Sequence, residues 1–485
     1  MSDILVLLLT KTVLKTKYVR KNDNMSASSA YQLFHNGVLA LARAERQGMR
    51  INMEYCEEMS DTLTKKIEVL EKEFYQSKFY RHWEKVKQGK PNIHSGQQLG
   101  HFIYNIKKIE PAKFTETGKG STDEKALENL NLPELKPLLR IRKLAKIRDT
   151  YLKAFIREQV NGVLHPSFNL HTVRTFRSSS QNPNFQNIPK RDKEAMDICR
   201  KAIYPRAGHQ LMEVDFGSLE VRIAACYHHD PTMMKYIKDK RTDMHGDMAE
   251  QIFCIDKINK KIPEHAVLRA AAKNGFVFPQ FYGDYFKNNA LSMGGDWCGL
   301  PDGKWKPEQG ILLPDGTTIA KHMINNGIKS MDHFIDHIKE IENHFWNVRF
   351  PVYRDWKEEW WKSYQKKGYI TMFTGFRCSG IMGKNDAINY PIQGAAFHCL
   401  LWCFNRLDQL IREDGLKTRL IGQIHDAIVL DVHPNELNLI KHMVKEVTTC
   451  ELPAHWTWIN VPLEIEADLA GVDKSWAEME FLELS

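Results

Sequence analysis

RLIGQIHDAIVLDV, residues 419–432, holds two runs of β-forming residues around one polar pair, His425-Asp426. Such runs on either side of two polar residues predict a tight antiparallel hairpin with the pair at its turn. Any hairpin has a polar tip, so the reading gains weight from a second stretch, LMEVDFGSLEVRIAACYHHD, residues 211–230. There Leu211 to Val214 alternate as a short strand, Asp215 ends it, and Ser218 is placed to open a helix bearing Leu219, Ile223 and Ala224. Alone, Asp215 reads as an ordinary helix cap. With Asp426 it reads differently. Two carboxylates brought together repel, and divalent cations between them offset that cost. Two ions roughly 3.5–4 Å apart are a known device for in-line displacement at phosphorus.

RAAAKNGFVFPQFYGDY, residues 269–285, lies between these stretches. Arg269 and Lys273 are four apart, as are Phe278 and Tyr282, so on a helix each pair shares a face. Cations suit a triphosphate and rings suit a base; the spacing alone equally fits a buried aromatic helix with a basic end. RSSSQNPNFQNIPKR, residues 177–191, is a polar segment with Arg at each end. The amides of Asn184, Gln186 and Asn187 are suited to phosphates and sugars, and the segment also reads as a plain surface loop. KPLLRIRKLAKIRDTYLKAFI, residues 136–156, is a basic amphipathic helix that fits either a solvated face or a surface along phosphates.

The length of 485 residues predicts two to four units with proper cores. Hydrophobic content of 42% with 26% charged residues excludes wholesale disorder. No apolar run approaches the roughly 18 residues a membrane span needs. The 9 cysteines are scattered without a CxxC pair, which argues against a disulfide scaffold or a structural zinc site and for a reducing compartment. The net charge of +8 suggests a polyanionic partner. At the N-terminus, ILVLLL (4–9) is too short for a secretory core. The basic run Lys11–Lys21 mimics an organelle transit peptide as much as a ragged or non-native start before Met25.

From about Ala30 to Phe155 the pattern is helical. One helix ends at Gly48 and turns into a short extended piece. Residues 53–90 read as one long charged helix, and Ser121, Thr122 or Asp123 caps the next. Block 284–345 concentrates Gly, Asp and Trp and repeats PDG at 301–303 and 314–316, which predicts a loop-and-hairpin insertion.

Taken together and in order, these segments resemble family-A DNA polymerases, the polymerase I group, and are most similar to its phage members. RSSSQNPNFQNIP resembles the family's RLSSxDPNLQNIP. DFGSLEVR resembles motif A, DYSxIELR; RAAAKNGFVFPQFYG resembles motif B, RxxxKxxxFxxxYG; and QIHDAIVLDV resembles motif C, QVHDExxxEV. YPIQGAA (390–396) and GYITMFTGFR (368–377) resemble the APxQGxA segment and the GYxxTxxGRR hairpin. The resemblance runs from about Ala30 to the C-terminus.

It implies an α+β right-hand fold with an antiparallel palm sheet, helical thumb and helical fingers. The first 29 residues would be an N-terminal extension and 30–155 the thumb. The palm would take 156–230 and 346–485, and the fingers 231–345. The implied reaction is addition of deoxynucleotides (dNTPs) to the primer 3′-hydroxyl of a primer-template DNA, with two Mg²⁺ ions. Asp215 and Asp426 would hold the metals with the Phe216 carbonyl. Glu220 would crowd a ribose 2′-hydroxyl. Arg269, Lys273 and His245 would hold the triphosphate, with Phe278 or Phe276 stacking and Tyr282 closing the pocket. Arg177, Asn389, Gln393 and His425 would contact the primer-template. The implied setting is a monomer in a bacterial host cytoplasm, in phage DNA replication, with a separate exonuclease or processivity subunit as a further partner and no membrane contact.

Several departures stand out. Lys273 and Tyr282 are nine residues apart where the family has eight, and Pro279 lies inside the presumed helix. Proline there removes a hydrogen bond and clashes with the preceding turn, at a cost of about 3 kcal/mol. A π-type bulge or kink near Gly275–Pro279 would absorb both. Ala427 stands where motif C often has a third carboxylate, and Asn385 where the family usually has Arg. Only about 30 residues precede the thumb-like helices, and they lack paired DxE carboxylates, so proofreading is not expected. Two rivals are a single-subunit RNA polymerase, which Glu220 and QNPNFQNIP oppose, and a catalytically silent nucleic-acid-binding protein, which has no need of paired carboxylates.

Overall fold

The computed structural model describes residues 26–484, apart from 112, 113, 116, 131 and 191. The expectations for residues 1–25 therefore lie outside the described residues. The fold is mostly helical α+β, organised around one five-stranded antiparallel sheet: β1 (Gln210–Phe216), β2 (Arg419–Ile424), β3 (Ala427–Val432), β4 (Ile465–Leu469) and β5 (Glu480–Leu482). The spatial order is β5-β4-β1-β3-β2, which puts β1 at the centre. Its leucine, methionine and valine are buried on both faces, so the short alternation read from sequence is overridden by central placement. Phe185 packs over β2 at Gly422, where an added Cβ would lie 2.6 Å from the Phe185 ring. That ring also stacks on Trp476 at 5.3 Å.

The first helix, Ala27–Gln47, is capped by the Ser26 hydroxyl and ends at Gly48, whose φ of 63° turns the chain into the strand Met49–Ile51. A Cβ at Gly48 would meet the Leu164 carbonyl at 2.4 Å, so both conformation and space call for glycine. This helix packs against β2 and the long helix Lys384–Glu413.

The expected single helix over 53–90 is two, Met53–Gln76 and Lys78–Lys87, because Ser77 adopts an extended conformation and caps the second with its hydroxyl. Asp123 caps Glu124–Asn129 through the Ala126 amide at 2.8 Å. The basic stretch forms Lys136–Lys146, a π-helical turn Ile147–Leu152 and Lys153–Glu158. Leu138, Ile141 and Leu144 are buried and the helix packs against Met53–Gln76. Much of its charge is answered locally: Arg140 pairs with Glu194, Lys143 with Asp192, and Arg148 and Lys153 with Asp149.

Block 284–345 is more helical than its turn signals predict. It holds Phe286–Leu291, a π-helical turn Ser292–Trp297, Ile319–Asn325 and Met331–His344. The PDG turns are present, with Gly303 and Gly316 both at φ 79°. Buried Met293, Trp305, Met323 and Phe334 give the block enough apolar surface to support helices between its turns. No helix among the described residues is long and apolar enough to cross a membrane.

Candidate active site

The hairpin read at 419–432 forms as β2 and β3 around the two-residue turn His425-Asp426, with His425 at φ 49°. Antiparallel register sets Ala427 opposite Asp215 on β1. The Phe216 amide donates to the Asp426 carbonyl at 3.2 Å. The two aspartates thus arrive from adjacent strands at one end of the sheet. Burial pushes the Asp426 carboxyl up to about 6, with the Glu220 and Asp215 carboxylates adding to the shift. A carboxylate held in this way gains from a nearby cation.

Among the described residues no three His, Cys, Asp or Glu side chains are grouped to hold a metal. Two carboxylates still fit Mg²⁺, which keeps waters and takes substrate phosphates as its remaining ligands. Ala427, directly across from Asp215, marks where a third would stand.

Glu220 sits in the first turn of the helix Leu219–His228 and joins three segments. One carboxylate oxygen accepts from Arg177 and the other from the Tyr282 hydroxyl. Burial and the Glu220 carboxylate raise the Tyr282 phenol, keeping it a neutral donor. These side chains, with Phe278, Asn389, His425 and Asp426, line an open cleft of about 560 Å³.

The helix expected at 269–282 is broken where the extra residue and Pro279 predict. Pro263–Ala272 is α-helical, Lys273–Val277 is a π-helical turn, and Phe278–Tyr282 resumes the α-helix. Of the two candidate rings, Phe276 is buried against Phe345, whereas Phe278 faces the cleft. The Lys273 ammonium lies 5.3 Å from the Phe278 ring centroid. Arg269 is held by Asp243 through two hydrogen bonds of 2.7 and 2.8 Å.

His245 meets Phe278 edge-on at 5.6 Å. Burial, with the Arg269 and Lys273 cations, lowers its imidazole to about 4. It is therefore neutral near pH 7, and its buried Nδ1 has no hydrogen-bond partner among the described residues.

The residues expected at the primer-template fall into two groups. Asn389 donates to the Tyr282 carbonyl at 3.1 Å and Asn385 to the Gly283 carbonyl at 3.3 Å, tying Lys384–Glu413 to the end of Phe278–Tyr282. Arg177 donates through Nε to the Gln393 carbonyl at 3.3 Å, while His425 is exposed beside the aspartates. Gln186 is engaged within the fold. Its amide is engaged by Ser178 at 2.8 Å and Gln423 at 2.7 Å, bracing the 177–187 segment against β2. Buried Gln423 is thereby satisfied by Gln186 together with the Ser178 hydroxyl and the His425 carbonyl.

Lys190, Glu213, Arg200 and Trp476 escaped the sequence reading. Lys190 donates to Asp215 at 2.9 Å and reaches Glu213 at 3.3 Å; buried Glu213 also takes Arg200 at 3.1 Å and the Trp476 indole at 3.0 Å. The available signal was Glu213 two residues before Asp215, hence on the same strand face, with a lysine just after QNIP.

Asp215 and Asp426 thus stand at one end of an antiparallel sheet, and Asp426 opens onto a cleft that Arg177, Phe278 and Tyr282 also line. The family model for DNA polymerase family A matches residues 53–290 and 336–478, and the chain belongs to that family. The unmatched interval, 291–335, falls inside the block read as an insertion. The chain is 28% identical over 457 residues to a thermostable DNA polymerase I from Thermus filiformis, covering 90% of this chain and 47% of that protein. It is 25% identical to DNA polymerase I of Chloroflexus aurantiacus over 460 residues, 90% of this chain and 42% of that one. The chain thus spans less than half the length of these curated relatives. Its fold matches the POL domain of Pol1 from M. smegmatis, a complex with DNA primer-template and dNTP, with a TM-score of 0.69 at 22% identity, over 91% of this chain and 70% of that one.

Proposed function

We propose that this chain is a DNA-directed DNA polymerase that extends a primer 3′-hydroxyl by two-metal phosphoryl transfer. The observation that carries the reading is the register bringing Asp215 and Asp426 together beneath a cleft closed by Glu220 and Tyr282. The primer-template and dNTP held by the structural neighbour support the same partners here.

Asp215, Asp426 and the Phe216 carbonyl would hold two Mg²⁺ ions, which when bound activate the attacking hydroxyl and stabilise the leaving oxygen. Lys273 and Arg269 receive the triphosphate, and neutral His245 offers it a hydrogen bond without added charge. Phe278 and Tyr282 stack against the incoming base pair, and Glu220 crowds the 2′ position. Arg177, Asn389, Gln393 and His425 meet the primer-template.

In this reading the sheet is the palm, 231–345 the fingers, and the helices from Met53 to Glu158 the thumb. The Ala27–Gln47 helix goes with the palm it packs against. The finer expectations rest on the motif resemblance: kinship to phage members, and a monomer replicating phage DNA in a bacterial cytoplasm.

Primer extension tests the core of the proposal. Wild type is expected to extend a labelled primer in Mg²⁺ with dNTPs in preference to rNTPs, and Asp215→Asn is expected to lose at least about 1,000-fold in rate. An inert wild type, or a variant at full rate, would sink the reading; equal use of rNTPs would favour the RNA polymerase.

A further inference from the structure

The kink in the 263–282 helix leaves its second half mechanically weak. Only five residues follow the π-helical turn, and Pro279 has no N–H to continue the ladder. Yet this half carries Phe278 and Tyr282, two of the rings that line the cleft. Gln280 lies between them in sequence and points away from them, since two residues rotate the helix by roughly 200°.

Gln280 is 1% exposed, and three partners surround its amide. The Trp346 indole donates to its oxygen at 2.7 Å. Its nitrogen donates to Asn289 at 2.7 Å and Glu342 at 3.2 Å. Those partners are fixed in turn: Glu342 accepts the Phe286 amide at 3.0 Å, and Asn289 donates to Asp284 at 3.1 Å. The Lys357 ammonium sits 3.7 Å from the Trp346 ring centroid. Buried amides need partners, but a simple core position would be met by an apolar side chain.

We propose that Gln280 is a positioning residue for nucleotide selection. It fixes the half-helix of Phe278 and Tyr282 to the wall of Trp346, Glu342 and Asn289, separately from the half bearing Arg269 and Lys273. The inference rests on the cleft being the nucleotide site. Its signature is a split: selection of the base pair and sugar depends on Gln280, whereas grip on the phosphates does not.

The test compares wild type with Gln280→Leu, Trp346→Phe, Gln280→Glu and the exchange pair Gln280→Glu/Glu342→Gln. Each is measured for single-nucleotide kcat and KM, the ratio of rNTP to dNTP incorporation, and inhibition by inorganic pyrophosphate. Gln280→Leu is expected to raise KM for the correct dNTP about tenfold and the rNTP ratio at least fivefold, with the pyrophosphate inhibition constant within twofold of wild type. Trp346→Phe removes one donor while keeping a ring, and is expected to move the same quantities less. Gln280→Glu sets a carboxylate against Glu342 and is expected to be worse than Gln280→Leu. The exchange pair restores a donor facing an acceptor and is expected to return the rNTP ratio to within threefold of wild type.

If Gln280→Leu does not fold, Trp346→Phe and the exchange pair decide. An unchanged rNTP ratio in the folded variants, a parallel loss of pyrophosphate binding, or no recovery in the exchange pair overturns the proposal. A wild type that does not extend primers at all fails the functional reading itself, and this proposal with it.

Discussion

Asp426→Asn is expected to abolish primer extension and, in the same protein without metal, to raise the melting temperature at pH 7.5. The catalytic loss should reach at least about 1,000-fold, since one of the two carboxylates that would hold the ions is gone. The stability gain follows from linkage. An unfolded Asp ionises near its usual 3.8, whereas burial beside Glu220 and Asp215 pushes Asp426 up to about 6 in the fold. The folded state binds this proton more tightly, so the destabilisation is absent below the unfolded value. It grows as pH rises from about 4 to 6 and is complete above that. Discounted for partial exposure, it amounts to about 2 kcal/mol at neutral pH. Asparagine keeps the shape and removes the charge. Melting curves with EDTA at pH 4 and pH 7.5 check it: the two proteins should differ at the higher pH and converge at the lower. A variant less stable at both would show that the carboxylate is satisfied in the apo fold.

Glu220→Ala is expected to raise the ratio of rNTP to dNTP incorporation on the order of 100-fold, the scale on which a pocket discriminates an added hydroxyl. The Glu220 carboxylate is pinned from both sides, by Arg177 and by the Tyr282 hydroxyl, so it cannot swing aside for a 2′-hydroxyl. Alanine opens that volume, unties Tyr282 and leaves the Arg177 cation without its partner. Because Glu220 also helps raise the Asp426 carboxyl, the acid limb of the extension rate should move to lower pH. Competition between rNTPs and dNTPs, with a pH–rate profile, measures both. A ratio unchanged from wild type would place sugar selection elsewhere.

The strength of the motifs in sequence followed how local each device is. A strand, a two-residue turn and a strand at 419–432 need only neighbouring residues, so the hairpin and its Asp426 were legible. The bulge at 273–277 was also legible, because an extra residue and a proline are faults a helix must absorb where they occur. Ser77 was not. A serine inside a charged helical pattern breaks the helix only because its hydroxyl is turned to cap the next one. The bond from Gln186 to Gln423 was hidden for the same reason in reverse: which group an amide meets within the fold is decided by what packs against it.

By itself, the sequence determined the two carboxylates, the cations and rings of the 269–282 segment, and the family to which they belong. Those are matters of residue type and short-range spacing. Only the tertiary structure decided which ring enters the cleft, that Lys190 reaches Asp215, and that Gln280 is gripped by Trp346 and Glu342 from more than 60 residues away. These pairings depend on distances between elements, and side-chain identities along one segment carry no information about what another segment will bring to meet them.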